Sequence, residues 1–293
     1  MGNGGLGSGS VGTEGVPQPA AALCLGSGGL SGAAWQLGVL TGLAEAGVDL
    51  GSAGLVVGTS AGALVGAHLA LGRTPSEIVE GLNSLTLEGR LSVTALTRLL
   101  AAQLWPSRRH ALLWLGRGAT GAGWSREAAE NWVERLGVGL VGQPWPAGLV
   151  IVATDASSGR PAYFTAATRI PLERAVAASC AIPGVFPPVL IDDRPHFDGG
   201  LRSPANLDVA DGCTAVLAIA PLTGSLRAYR RPGSQAARLA TSAKVVLIAP
   251  DGPARRAIGV DVVAAALIKP ALAAGRSVGH ARAREVSDLL GST

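Results

Sequence analysis

The chain has 293 residues, 48% of them hydrophobic and 15% charged, a composition that suits a globular protein with a large core and excludes general disorder. Its net charge of +4 is diffuse, with no basic run longer than Arg108-Arg109 or Arg255-Arg256, so no nucleic-acid partner is expected. Cys24, Cys180 and Cys213 are too isolated for a disulfide framework or a zinc motif, and no apolar stretch reaches the roughly 18 residues of a membrane span, so a soluble or membrane-peripheral cytoplasmic protein is expected.

In chain order, residues 1–19 are rich in Gly, Ser and Pro with little to bury, and are expected to form a disordered leader. A strand is predicted at 20–25, then a glycine-rich loop at 26–32 and a helix at 33–46. A second strand at 55–57 runs into Gly58-Thr59-Ser60-Ala61-Gly62 and a helix at 61–71. Helices at 76–82 and 126–136 precede a strand at 149–153 and a helix at 172–179. Strands at 189–191 and 215–218, a helix at 235–242, a strand at 245–248 and a long helix from about 261 complete the pattern. The apolar runs do not alternate cleanly, as in strands buried on both faces. Strand and helix take turns, which predicts an α/β fold on a mostly parallel sheet, in one domain over 20–293.

Gly58 and Gly62 sit two residues either side of Ser60 at a strand-to-helix junction, the nucleophile-elbow pattern. Such a turn forces the serine into a strained conformation with its hydroxyl exposed. The helix starting at Ala61 aims its N-terminal amides at any anion forming nearby. The loop Gly26-Ser27-Gly28-Gly29-Leu30-Ser31-Gly32 fails the dinucleotide fingerprint, because Ser31 stands where the third glycine belongs. Its other reading is an oxyanion hole, with the amides of Gly28, Gly29 and Leu30 at the sheet edge where Ser60 also lies.

A base is still needed. In a Ser-Asp-His order only His280 is correctly placed, and it lies in a charged helical stretch; His68 reads as a packing residue of the helix after Ser60. Asp198, in His196-Phe197-Asp198-Gly199-Gly200, is the better candidate. Gly199 and Gly200 free the backbone to bring the carboxylate to another loop, where it can take the serine proton directly. Asp155 reads as a turn or capping residue.

The loop at 26–32, the elbow at 58–62, Asp198-Gly199-Gly200 and Ala178-Ser179-Cys180-Ala181-Ile182-Pro183-Gly184-Val185-Phe186-Pro187-Pro188-Val189 together resemble the patatin-like phospholipases. Residues 153–161 and Ser203-Pro204-Ala205-Asn206 add to the likeness, which covers about 20–206. The resemblance implies a three-layer α/β/α sandwich and a Ser60–Asp198 dyad without a catalytic histidine. It also implies an oxyanion hole at Gly28 and Gly29, a lipid or acyl-ester substrate, and no metal or organic cofactor. One departure stands out: Ser31 replaces the basic residue that the family usually carries before Gly32, and a lost charge there bears on head-group preference.

Residues 99–117 interleave Leu and Trp with Arg. Two readings are open, a lid or acyl-chain wall that docks on a membrane interface, and amphipathic helices packed on the core with solvated arginines. Two rivals to an acyl hydrolase are an inactive lipid-binding or scaffold protein and a nucleotide-binding α/β protein. Which lipid, and which oligomeric state, the sequence leaves open.

Overall fold

The apolar runs become the centre of one sheet. A computed structural model of the chain describes residues 19–51, 53–85, 97, 101–102, 107, 110–111, 113–115, 124–225, 227–261 and 263–291. The expected leader, apart from Pro19, and most of 99–117 lie outside the described residues.

Strand β1 (Ala21–Leu25) is followed by helix α1 (Gly29–Glu45), and β2 (Leu55–Thr59) by α2 (Ala61–Ala70). Helices α3 (Pro75–Ser84) and α4 (Arg126–Leu136) precede β3 (Leu149–Asp155) and β4 (Pro161–Phe164). Helix α5 (Leu172–Ser179) leads to β5 (Val189–Ile191) and β6 (Arg194–Asp198), then β7 (Ala215–Ile219), α6 (Pro232–Leu239) and β8 (Lys244–Ile248). Helices α7 (Gly252–Ile258) and α8 (Ile268–Leu290) close the described chain.

The eight strands form one sheet in the order β5-β6-β3-β2-β1-β7-β8, with β4 also paired to β3. Strands β3, β2, β1, β7 and β8 are parallel neighbours. The expectation of a mostly parallel sheet is therefore refined: β4, β5 and β6 add an antiparallel flank. Both faces are covered. Ala21, Leu23, Leu25, Leu149 and Ile151 point into a large core that also holds Trp35, Leu37, Leu40 and Trp132. Their neighbours Ala22, Cys24, Val150 and Val152 point the other way, against Ala205, Leu207, Ala236 and Leu239. The result is a lopsided α/β/α sandwich, thick on the α1 side and thin on the α6 side.

Local chemistry sets the helix starts. Thr74 and Glu77 form a reciprocal capping box for α3, with Glu77 Oε2 accepting from Thr74 N–H at 2.7 Å. Pro232 opens α6 three residues before the expected start, since proline's fixed φ suits a first helical turn. The long C-terminal helix expected from about 261 starts at Ile268, and α7, which precedes it, is capped by Gly259, whose φ is +70°. Along α8, Gly275 and Gly279 lie against Gly38 and Gly42 of α1, and the backbones approach so closely that a Cβ at Gly279 would sit 3.0 Å from Gly42 Cα.

Candidate active site

The elbow is built as its small residues require. Ser60 lies between β2 and α2 with φ 54° and ψ −120°, a left-handed conformation costing about 1–3 kcal/mol for a residue with a side chain. A Cβ on Gly58 would stand 2.6 Å from Ala63 Cα, and one on Gly62 would run into the Leu25 carbonyl. Both glycines are therefore demanded by close approach. Ser179, at the end of α5, holds the strained residue from the other side. Its buried Oγ accepts from Ser60 N–H at 2.9 Å and donates to the Val152 carbonyl at 2.6 Å.

Asp198 ends β6, where it pairs with Ala153 of β3. Its Oδ2 accepts a 2.6 Å hydrogen bond from Ser60 Oγ, and its Oδ1 accepts from Gly200 N–H at 2.7 Å. The backbone is fixed too, with Asp198 N–H donating to the Ala181 carbonyl at 3.0 Å and Thr154 Oγ1 donating to the Asp198 carbonyl at 3.1 Å. Gly199 passes hard against the Val152 carbonyl, which brings the acid strand up to the elbow. Burial raises the Asp198 pKa to about 6, while the hydrogen bonds from Ser60 and Gly200 pull it down. A carboxylate with that pKa and geometry can accept a serine proton near neutral pH.

The glycine loop is partly helix. Helix α1 begins at Gly29 rather than at the expected 33, with Gly28 as its cap and Gly29 at φ +61°. The Gly29 and Leu30 amides thus belong to a first turn whose N–H groups have no intrahelical acceptor, as does Ala61 in α2. Gly26 ties the loop down: its carbonyl accepts from Gln36 Nε2 at 2.5 Å and from Gly62 N–H at 3.2 Å. Ser27 N–H donates to the Pro204 carbonyl at 2.7 Å. Ser60, Asp198, Gly28 and Gly29 line one cavity of about 250 Å³; Leu30 and Ala61 are not among its lining residues. Ala102, Ala111 and Leu115, from the segment read either as a lid or wall or as helices packed on the core, supply an apolar part of its lining.

Behind Asp198 lies a polar network. Asn206, held at φ 47°, donates through Nδ2 to Thr59 Oγ1 at 3.1 Å and to the Gly199 carbonyl at 3.3 Å. Its Oδ1 accepts from Arg202 Nη1 at 2.7 Å, and Arg202 pairs with Asp208. Among the described residues, none of the four histidines bonds to Ser60 or Asp198. His280 pairs with Glu45 at 2.9 Å on the outer helices, His68 is buried on α2, and His196 Nδ1 lies 2.9 Å from the Arg194 carbonyl. Asp155 caps its own turn, accepting from Ser157 N–H at 2.8 Å, and pairs with Arg194. Ser31 is fully buried and its hydroxyl has no partner among the described residues.

A patatin-like phospholipase family model matches residues 23–211, well over half of the chain. The chain belongs to the patatin-like phospholipase family. Uncharacterized NTE family proteins of Mycobacterium bovis and Mycobacterium tuberculosis are 34% identical to it over 213 residues, 72% of this chain and 51% of theirs. This patatin-like chain thus spans about half the length of the curated relatives it matches. It is also similar in structure to the type III effector protein ExoU, with 18% identity and TM-score 0.44, covering 92% of this chain and 54% of that one. VipD from Legionella pneumophila gives 14% identity and TM-score 0.47, covering 94% and 67%. The family segment spans β1 to the acid loop; β7, β8 and the C-terminal helices lie beyond it.

The turn glycines of the sequence single out Ser60, Asp198 and the glycine loop, which the structure brings to one cavity, but nothing local marks a role for Ser179 or Asn206. Gln36 did leave a trace, as a lone amide in an apolar helix. Ser179 and Asn206 lay inside segments noted only for family likeness.

Proposed function

We propose that the chain is a serine acyl hydrolase acting on carboxylic esters of lipids through a Ser60–Asp198 dyad. The 2.6 Å hydrogen bond from Ser60 Oγ to the buried Asp198 carboxylate carries this reading. Ser60 Oγ attacks the ester carbonyl as Asp198 takes its proton. The tetrahedral oxyanion accepts hydrogen bonds from the amides of Gly28 and Gly29, with Leu30 and Ala61 as the adjoining first-turn donors. The intermediate collapses, the alcohol leaves with the proton from Asp198, and the acyl group stays on Ser60. Asp198 then activates a water that releases the fatty acid and restores the serine. Ala102, Ala111 and Leu115 favour reading 99–117 as a wall for the acyl chain.

Hydrolysis of p-nitrophenyl esters over a range of chain lengths tests the proposal. Wild type should be active, with Ser60→Ala and Asp198→Asn each reducing kcat by at least about a thousandfold. A wild type inactive on every chain length, and on lipid vesicles, would oppose it. Ser31 favours a second reading, an inactive lipid-binding member of the fold, because the basic residue usual before Gly32 is absent. Failure of a fluorophosphonate to label Ser60 would support that reading instead.

A further inference from the structure

We propose that Arg230 is the substrate-selecting cation of this site, binding a phosphate group on the alcohol side of the ester while Ser60 meets the acyl carbonyl. The proposal rests on the acyl-hydrolase reading for its substrate and deepens it. Arg230 lies in a short 3-10 turn, Ala228–Arg230, beyond the segment that matches the family. It is 8% exposed and lines the same cavity as Ser60 and Gly28.

The free donors are the telling feature. Arg230 Nη1 reaches the Leu201 carbonyl at 3.5 Å, while Nε and Nη2 are buried with no partner among the described residues. Those two groups form one edge of the guanidinium, and a side-chain rotation that turns this edge into the cavity would offer parallel N–H bonds to two oxygens of a phosphate. Arg202 lines the same cavity, but Asp208 and Asn206 engage it. No described carboxylate lies within ion-pair distance of Arg230. Tyr229 is a neutral neighbour that shares a side-chain hydrogen bond with the guanidinium, and its ring centroid is 5.6 Å from the guanidinium carbon. Burial lowers the Arg230 pKa, Tyr229 opposes this, and the charges of Arg227 and Arg202 lower it further, as expected where positive charge gathers without a counter-ion.

A buried, unpaired guanidinium is unfavourable unless a ligand supplies the negative charge. The apolar lining suits the acyl chain, so the anion belongs to the alcohol portion. Ser31 leaves the glycine loop without a cation, and Arg230 brings one into the cavity from a different part of the chain.

The test uses the full chain carrying Ser60→Ala, so that binding is read without turnover. Isothermal titration compares lysophosphatidic acid below its micellar concentration, a monoacylglycerol of the same chain length, and inorganic phosphate, with and without Arg230→Gln or Arg230→Lys. The phospholipid should bind at least tenfold tighter than the neutral lipid, with the preference lost in Arg230→Gln and partly kept in Arg230→Lys. Equal affinities, or a preference that survives Arg230→Gln, would overturn the assignment. Binding of inorganic phosphate that depends on Arg230, with no preference between the two lipids, would reassign the site to free phosphate and also overturn it. Arg230→Gln should melt at or above the parent temperature, since it removes an unpaired charge. A lower melting temperature with equal loss of both lipids would mark a merely structural arginine. In protein with Ser60 intact, the ratio of kcat/KM for the two lipids should fall at least tenfold in Arg230→Gln. Absent hydrolysis alongside the expected binding preference would refute the acyl-hydrolase reading while supporting the phosphate site.

Discussion

Replacing Asp198 by Asn should abolish hydrolysis and make the protein more stable. The carboxyl is buried, and its pKa rises from the ordinary aspartate value of 3.8 to about 6. In the unfolded chain it ionises near the ordinary value, so between those two pH values the native state holds the proton more firmly. Stability therefore falls as pH rises through that window, and above it the wild type carries the full penalty of an ionised buried group. The interval from 3.8 to about 6 corresponds to about 3 kcal/mol. Asparagine avoids this while keeping an oxygen for the Gly200 amide and presenting an NH₂ to Ser60 Oγ, so a net gain of about 1–3 kcal/mol is expected. For a chain of this size that is about 2–5 °C in melting temperature at pH 7.5. Calorimetry on both proteins from pH 3.5 to 8 reads the effect, which should shrink towards zero below pH 4. A variant that melts lower than wild type at pH 7.5, or a gain that persists unchanged at pH 3.5, would refute the reasoning.

Ser179→Ala should leave the Ser60 amide and the Val152 carbonyl without their serine partner, destabilising the fold by about 2–4 kcal/mol in urea titrations. It should lower kcat about a hundredfold with KM within about threefold, because it loosens the nucleophile rather than the substrate cavity. Gly62→Ala should lose activity and cost about 3 kcal/mol or more by driving a methyl into the Leu25 carbonyl. Gly81→Ala, in α3 with nothing within 4 Å of the new methyl, should instead be neutral or gain about 0.5–1 kcal/mol by the same urea assay. His280→Ala should keep hydrolysis within about twofold, because the ring meets Glu45 on the outer helices and not Ser60.

What could be read in the sequence follows physical lines. Strands β1, β2, β3 and β7 are buried on both faces, so unbroken apolar runs betray them. Strands β4 and β6 were not anticipated, since they carry Pro161, Arg194, Pro195 and His196 and look like loop until they pair beside β3. The helix start at Gly29 was hidden because a glycine run reads as a turn. Ser60, Asp198 and the glycine loop were legible because tight turns demand glycine at fixed offsets. Ser179 meets Ser60 across 119 residues, and Arg230 enters the cavity from beyond β7. Contacts of that range leave no local pattern.

The most direct test of the dyad is the rate at which a fluorophosphonate labels the protein across pH 5–8, with the modified residue located by peptide mass spectrometry. A dyad requires labelling at Ser60 that rises through about pH 6, as Asp198 ionises, and falls at least about a hundredfold in Asp198→Asn. Labelling of Ser60 that is independent of pH and unchanged in Asp198→Asn would contradict it.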